Sequence, residues 1–310
     1  MSDLPYEVLC HEGQRDEWLE TRRLGIGGSD MPSILGLTNW GSALSVQTDK
    51  WGLGSDESGE ERDQKFRLAH HQEAYLLAEL SMELGIDFET FGYLLRSKEY
   101  PWAMCTPDGV AYNEVCVDGL GPALHWAQCK TSIMKSEWEE EVPAHVIAQM
   151  QHEMLVTGAD HSYLPVLLYP NTFAWKLVER DQKYIDEVII PTGTAFWAAT
   201  EERVPYEIDG SEQTTRALVR LHPEDNGRTV KLDDTYWDDV RALESIATDL
   251  KILNEQKTLH QNRVRAAIGD ATYGELEDGS GFSWKTGDRK EYTVAASKTK
   301  TLRRVKTVGR

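Results

Sequence analysis

An acid, an amide and a lysine are spaced in this chain so that two paired strands would bring them together. Asp108 closes the run Cys105-Thr106-Pro107-Asp108, and Gln128 and Lys130 stand two residues apart in Ala127-Gln128-Cys129-Lys130. Side chains alternate faces along a strand, so Gln128 and Lys130 share one face. A hairpin between strands expected at Ala103–Tyr112 and Ala123–Thr131 would carry Asp108 to that face. Hard oxygen ligands for Mg²⁺, beside a cation facing the attacking water or scissile phosphate, are what metal-dependent phosphodiester cleavage requires. Taken alone, the same residues also suit a solvated hairpin with a salt bridge.

A second constellation lies near the start: Trp18-Leu19-Glu20-Thr21-Arg22-Arg23-Leu24-Gly25-Ile26-Gly27-Gly28-Ser29-Asp30. It is no dinucleotide-binding loop, because Asp30 stands where the third glycine belongs and no clear strand precedes it. Ser29 and turn N–H groups at a helix start would form an anion site, and Arg22 would add a bidentate phosphate contact, being better placed than Arg23. The bland counterpart is a helix cap with a surface arginine.

Together these blocks resemble the YqaJ-type viral recombinase and lambda exonuclease family, within the PD-(D/E)xK nuclease superfamily. Pro107-Asp108 supplies the literal PD, and Ile34-Leu35-Gly36 extends the opening motif. Pro143-Ala144-His145-Val146-Ile147-Ala148-Gln149-Met150-Gln151-His152-Glu153-Met154 is similar to the family's helix with an active-site glutamine. The four blocks fall in order over the first two hundred residues. The resemblance implies a Mg²⁺ site, with Mn²⁺ as a substitute, built from Glu73, Asp108, Gln128 and the backbone carbonyl of Cys129. It singles out Glu73 from Glu79 and Glu83, and Gln149 from Gln151, which the sequence alone leaves equal. Lys130 would orient or deprotonate the water, Gln149 would position water or Lys130, and Arg22 with Ser29 would hold a 5′-phosphate. His70 and His71 are read as structural.

At position 128 the family's usual acid is an amide, which can bind Mg²⁺ but brings no charge. The implied activity is 5′-to-3′ digestion of double-stranded DNA ends, leaving 3′ single strands for phage-type recombination. The implied partners are further copies of the chain, commonly three, and a RecT-type or lambda Beta-type single-strand annealing protein. Two alternatives stay open: a structure- or sequence-specific endonuclease on the same fold, and a nuclease-dead DNA-end or protein-binding module created by Gln128.

Composition sets outer limits. The 310 residues carry a net charge of −19, awkward for a DNA-binding protein. Between Lys285 and Arg310, however, nine basic residues face only Asp288 and Glu291, either a solvated tail or a handle on DNA. A content of 40% hydrophobic residues and ten tryptophans suffices for a core. No run approaches a membrane span, and MSDLPYEVLCHEGQRDEW does not read as a signal peptide, so a cytoplasmic protein is expected. Cys10, Cys105, Cys116 and Cys129 have neither zinc nor iron–sulfur spacing and read as free thiols.

The expected fold is α/β, a restriction-endonuclease-like core with a central mixed sheet flanked by helices, followed by a long helix and a β-hairpin. Helices are predicted from about Asp30, at Ala43–Trp51, over 62–84 and over 143–156, after a short first helix within residues 14–52. Another runs from about Asp181 to Glu202, bent or interrupted at Pro191. Strands are predicted at Phe88–Arg96, Ala103–Tyr112 and Ala123–Thr131, with a break at Gly119–Pro122. Tyr163–Tyr169 and Thr172–Glu179 form a hairpin turning at Pro170-Asn171. A polar stretch after Pro205 divides a nuclease core, residues 1–205, from an extension, residues 206–310. There a helix from about Asp234 to Ala267 shows a heptad-like seam, interrupted by Lys257 and His260 and read as packing on its own domain in preference to an intermolecular coiled coil, before a hairpin over 272–294.

Overall fold

The computed structural model describes residues 4–54, 60–112, 123–133, 138, 141–287 and 302–304. It divides into two compact units, Met1–Pro223 and Glu224–Arg310. The Gly119–Pro122 break, Cys116 and much of the basic tail, Arg289, Lys290, Lys298, Lys300, Lys306 and Arg310, lie outside the described residues, as does the second hairpin strand beyond 287.

The first unit opens with β1 (Tyr6–His11), α1 (Arg15–Arg22), α2 (Met31–Ile34), α3 (Ala43–Lys50) and α4 (Glu60–Leu84). Then come β2 (Glu89–Thr90), β3 (Tyr93–Ser97), β4 (Met104–Cys105), β5 (Gly109–Tyr112), β6 (Ala123–Ala127) and β7 (Lys130–Ser132). Next are α5 (Ala144–Thr157), β8 (His161–Leu168), β9 (Thr172–Glu179), α6 (Gln182–Tyr184), a π-turn over Ile185–Ile189, α7 (Ile190–Glu201) and α8 (Glu212–Leu221). The π-turn accommodates Pro191 without ending the helix, because the wider turn lets the chain do without one donor.

The three strands predicted between 88 and 131 are each broken in two. Phe88–Arg96 splits into β2 and β3 at Phe91-Gly92, and the halves join different sheets. Ala103–Tyr112 splits at Thr106-Pro107-Asp108: β4 completes a small antiparallel sheet, β1-β3-β4, and β5 enters the main one. Proline cannot donate to a ladder, so the chain changes sheet there and leaves Asp108 just before β5. Ala123–Thr131 splits at Gln128-Cys129. β6 and β7 nonetheless run along the same edge of β8, both parallel to it, with Ala127 facing Tyr163 and Lys130 facing Val166. The Gln128 N–H donates to the Tyr163 carbonyl at 2.9 Å, carrying the ladder through the kink. β5 is antiparallel to β6, and β9 antiparallel to β8. The result is the expected mixed sheet with helices packed against it.

Leu76, Leu77 and Leu80 of α4 pack on Ala111, Ala127 and Cys129 of the sheet. Val146, Met150 and Met154 of α5 pack against Leu164, Val166 and Val178. Gln151 is a buried staple: its Nε2 donates to the Glu179 carbonyl and its Oε1 accepts from the Asp181 N–H, both at 2.8 Å. His152 Nε2 lies 3.0 Å from the carbonyls of Ile26 and Met104, fastening the glycine-rich turn and β4 to α5. Burial holds this imidazole at about 4, so it stays neutral.

The boundary expected at Pro205 moves downstream. α8 packs on α3: Thr214 Oγ1 donates to Ser42 Oγ at 2.9 Å, and Arg220 reaches Thr48 Oγ1 at 3.2 Å. Gln47 holds the strand of chain before it, accepting from the Tyr206 N–H at 2.8 Å. Residues 206–223 therefore belong to the first unit.

The second unit contains α9 (Tyr236–Ile268) and a hairpin of β10 (Tyr273–Glu275) and β11 (Gly281–Ser283). No residue of α9 is buried, against the expectation of a helix packed on its own domain. Among the described residues no helix is long and apolar enough to cross a membrane.

Candidate functional site

The kinks that break the predicted strands put their polar residues into one cavity of about 490 Å³. Gly109 pairs with Ala127, so Asp108 and Gln128 stand opposite each other where the two strands part. Asp108 Oδ2 accepts from Gln128 Nε2 at 2.5 Å and from the Cys129 N–H at 2.7 Å. Lys130, the first residue of β7, lines the same cavity. Glu73 enters from α4, one turn before the leucines that seat that helix, and its carbonyl accepts from Cys129 Sγ at 3.9 Å. Gln149 reaches in from α5.

Arg22 and Ser29 line the same cavity. Arg22 Nη2 donates to Ser29 Oγ at 2.7 Å, lies 3.4 Å from Asp30 Oδ1, and its guanidinium sits 5.3 Å from the Trp18 ring centre. Lys50 Nζ reaches Asp30 Oδ2 at 2.6 Å, and with Arg22 it holds the buried Asp30 carboxyl far below the usual carboxylate range in spite of desolvation. The predicted anion site at a helix start needs correction. α2 is a single turn of four residues, and Ser29 accepts from Arg22 instead of capping it. The Gly27 N–H is already taken by Asp30 Oδ2 at 2.9 Å. What remains of that site is the Arg22–Ser29 pair.

Two acids that the sequence reading passed over complete the walls. Glu12 follows β1, and Glu153 lies four residues after Gln149 on α5. Gln149 Nε2 donates to Glu153 Oε1 at 2.8 Å. Gly28 must lack a side chain here, since a Cβ would stand 2.6 Å from Glu153 Oε1. The i, i+4 spacing in Gln149-Met150-Gln151-His152-Glu153 was the available signal, one helical turn apart on one face. His70 and His71 also line the cavity, and His70 Nδ1 lies 3.6 Å from Glu12 and 3.9 Å from Glu73.

The electrostatics of the cavity are those of crowded, desolvated acids. Burial, then the neighbouring Asp108 charge, pushes Glu73 up to about 7. Burial pushes Glu153 up to about 8, although Lys130 opposes it. Asp108 is also raised, burial outweighing Lys130 and the Cys129 N–H. Such a cluster gains stability from a bound cation, which favours the ionised carboxylates.

The donor set fits a hard divalent metal. Gln128 Oε1 is buried and has no hydrogen-bond partner, an orphaned oxygen beside Asp108. Among the described residues no three His, Cys, Asp or Glu side chains stand close enough to hold a metal ion by themselves. With an amide at position 128, a cation here would need oxygens beyond those of the acidic side chains.

Residues 17–160 match the YqaJ-like viral recombinase domain. The chain is 29% identical over 278 residues to the uncharacterized protein YqaJ of Bacillus subtilis (strain 168), covering 86% of this chain and 83% of that one. Among solved structures it is similar to the alkaline exonuclease LHK-Exo from Laribacter hongkongensis, with a TM-score of 0.47 and 17% identity, covering 66% of this chain and 99% of that one. It is also similar to a phage-related exonuclease from Haemophilus somnus 129PT, with a TM-score of 0.40 and 12% identity, covering 60% of this chain and 99% of that one.

Proposed function

From a chain that carries a YqaJ-like viral recombinase domain over residues 17–160, we propose a divalent-metal-dependent exonuclease acting on ends of double-stranded DNA. The observation that carries this reading is the meeting of Glu73, Asp108, Gln128 and Lys130 with Arg22 and Ser29 in one cavity. Phosphate entering a cavity lined by buried carboxylates would be repelled unless a cation stood between them. Glu73, Asp108, Gln128 Oε1 and the Cys129 carbonyl would hold Mg²⁺ or Mn²⁺. Bound there, such an ion polarises a phosphoryl oxygen and makes water a better nucleophile.

Each remaining side chain has a role that its position suits. Lys130 holds the attacking water and stabilises charge growing on the phosphate. Gln128 donates its amide hydrogen to Asp108, and its oxygen is left to face the metal. Gln149 orients water, itself oriented by Glu153. Arg22 and Ser29 grip a terminal 5′-phosphate, giving digestion from 5′ ends and 3′ single-stranded tails. A single-strand annealing protein of the RecT or lambda Beta type would take up those tails, and further copies of the chain would encircle the duplex.

The test is incubation of linear and covalently closed duplex DNA with Mg²⁺, with and without chelator. Loss of linear DNA alone, abolished by chelator, is expected. Nicked circles would replace the reading with an endonuclease, and intact DNA throughout with a module that binds without cutting.

A further inference from the structure

Among the described residues, α9 is the longest helix and has no core of its own. α9 runs for 33 residues without one buried side chain, and at 1.5 Å per residue it reaches about 50 Å. Helices in proteins owe most of their stability to packing of an apolar face, not to propensity. Its apolar face is a seam: Leu243, Ile246, Leu250 and Leu253 are 59%, 53%, 54% and 58% exposed. Tyr236, Leu243, Leu250, Lys257 and Val264 occupy one heptad position of that seam, and Asp239, Ile246, Leu253, His260 and Ala267 the other. The Arg304 contacts fall off the seam, on Glu244 at 3.3 Å and over the Trp237 ring at 6.0 Å, both on the neighbouring flank.

We propose that α9 pairs antiparallel with α9 of a second copy of this chain, in one register. Lys257 faces Asp239 of the second copy, Leu253 faces Leu243, Leu250 faces Ile246, and His260 faces Tyr236. Every layer then joins the two heptad positions, as antiparallel pairing requires, and the two-fold axis repeats each pair. Charge selects this arrangement. Parallel pairing in register would set Asp239 on Asp239 and Lys257 on Lys257 inside the seam. Sliding the antiparallel pair by one heptad would bury Asp239 against Leu250 or Val264. Charged groups at seam positions act as register markers in this way. Asp249 does meet its own copy near the axis, but on a solvated flank where like charges are screened. This pairing is independent of the nuclease reading.

Full-length protein with Cys116→Ser is the background for the test, since Cys10, Cys105 and Cys129 are buried. Leu243→Cys and Leu253→Cys variants, differently tagged, are oxidised separately and as a mixture. The expected result is a disulfide-linked heterodimer in the mixture and little product from either variant alone, whose own cysteines would lie about 15 Å apart along the axis. Self-linking of each variant alone would mean a parallel pair and overturn the proposal. Absence of linking in all three samples would assign the seam to another occupant and equally overturn it. In sedimentation equilibrium, Asp239→Lys or Lys257→Asp alone should weaken self-association at least tenfold, and both together should restore it. No restoration would refute the register even if the cysteine variants fold poorly.

Discussion

Replacing Glu153 by glutamine should change how stability depends on pH, because burial holds this carboxyl at about 8 in the folded protein. In the unfolded chain it titrates near its ordinary value of about 4.5. Below that value both states are protonated and the group imposes no penalty. Between about 4.5 and 8 the unfolded state releases a proton that the folded state keeps, so stability falls as pH rises. The slope reaches about 1.4 kcal/mol per pH unit in mid-window and flattens near 4.5 and 8, giving a loss of about 3–4 kcal/mol between pH 5 and pH 8. Glutamine has the same shape, and its carbonyl can still accept from Gln149 Nε2. Glu153→Gln should therefore match the parent near pH 5 and exceed its stability by about 3–4 kcal/mol at pH 8. The assay is urea unfolding at several pH values in chelator, since a bound cation would favour the ionised carboxylate. Parallel pH profiles for parent and variant would refute the buried, protonated acid.

Gln128→Glu should tighten Mg²⁺ binding in calorimetry and raise the cleavage rate, because it adds a charge beside an orphaned ligand position; unchanged affinity would remove Gln128 from the ligand set. Arg22→Ala should erase any preference for 5′-phosphorylated over 5′-hydroxyl ends, compared on one duplex at fixed salt, since affinity for DNA shifts with ionic strength. An undiminished preference would place phosphate recognition elsewhere. Asp30→Ala should destabilise the first unit by about 3–5 kcal/mol in urea unfolding, because it strands the buried Lys50 ammonium; a loss under 1 kcal/mol would contradict that role.

The sequence made the cavity's membership legible more readily than its shape. Strand alternation together with hairpin pairing brings Asp108, Gln128 and Lys130 together on paper, and all three line one cavity. The strand breaks between them could not be foreseen by periodicity, because Gln128-Cys129 carries no proline or glycine and its kink is set by β8 receiving both halves. Glu73 could be chosen over Glu79 and Glu83 only by family order; the packing of Leu76, Leu77 and Leu80 supplies the physical reason. Glu153 was hidden in plain view. A helical glutamate is usually solvated, and nothing local announces that Gly28 will close over it. Residues 206–223 resemble a linker in their polar composition, whereas α8 is held by a Thr214–Ser42 hydroxyl bond and by Arg220 on Thr48, which composition cannot reveal.

Whether this cavity cuts DNA is tested by comparing parent protein with Asp108→Ala and Lys130→Ala on linear duplex in Mg²⁺. Degradation by the parent and none by either variant is the expected result. Circular dichroism should be unchanged, and Lys130→Ala should still bind DNA in a metal-dependent way. Equal degradation by either variant, or intact DNA with the parent protein, would contradict it.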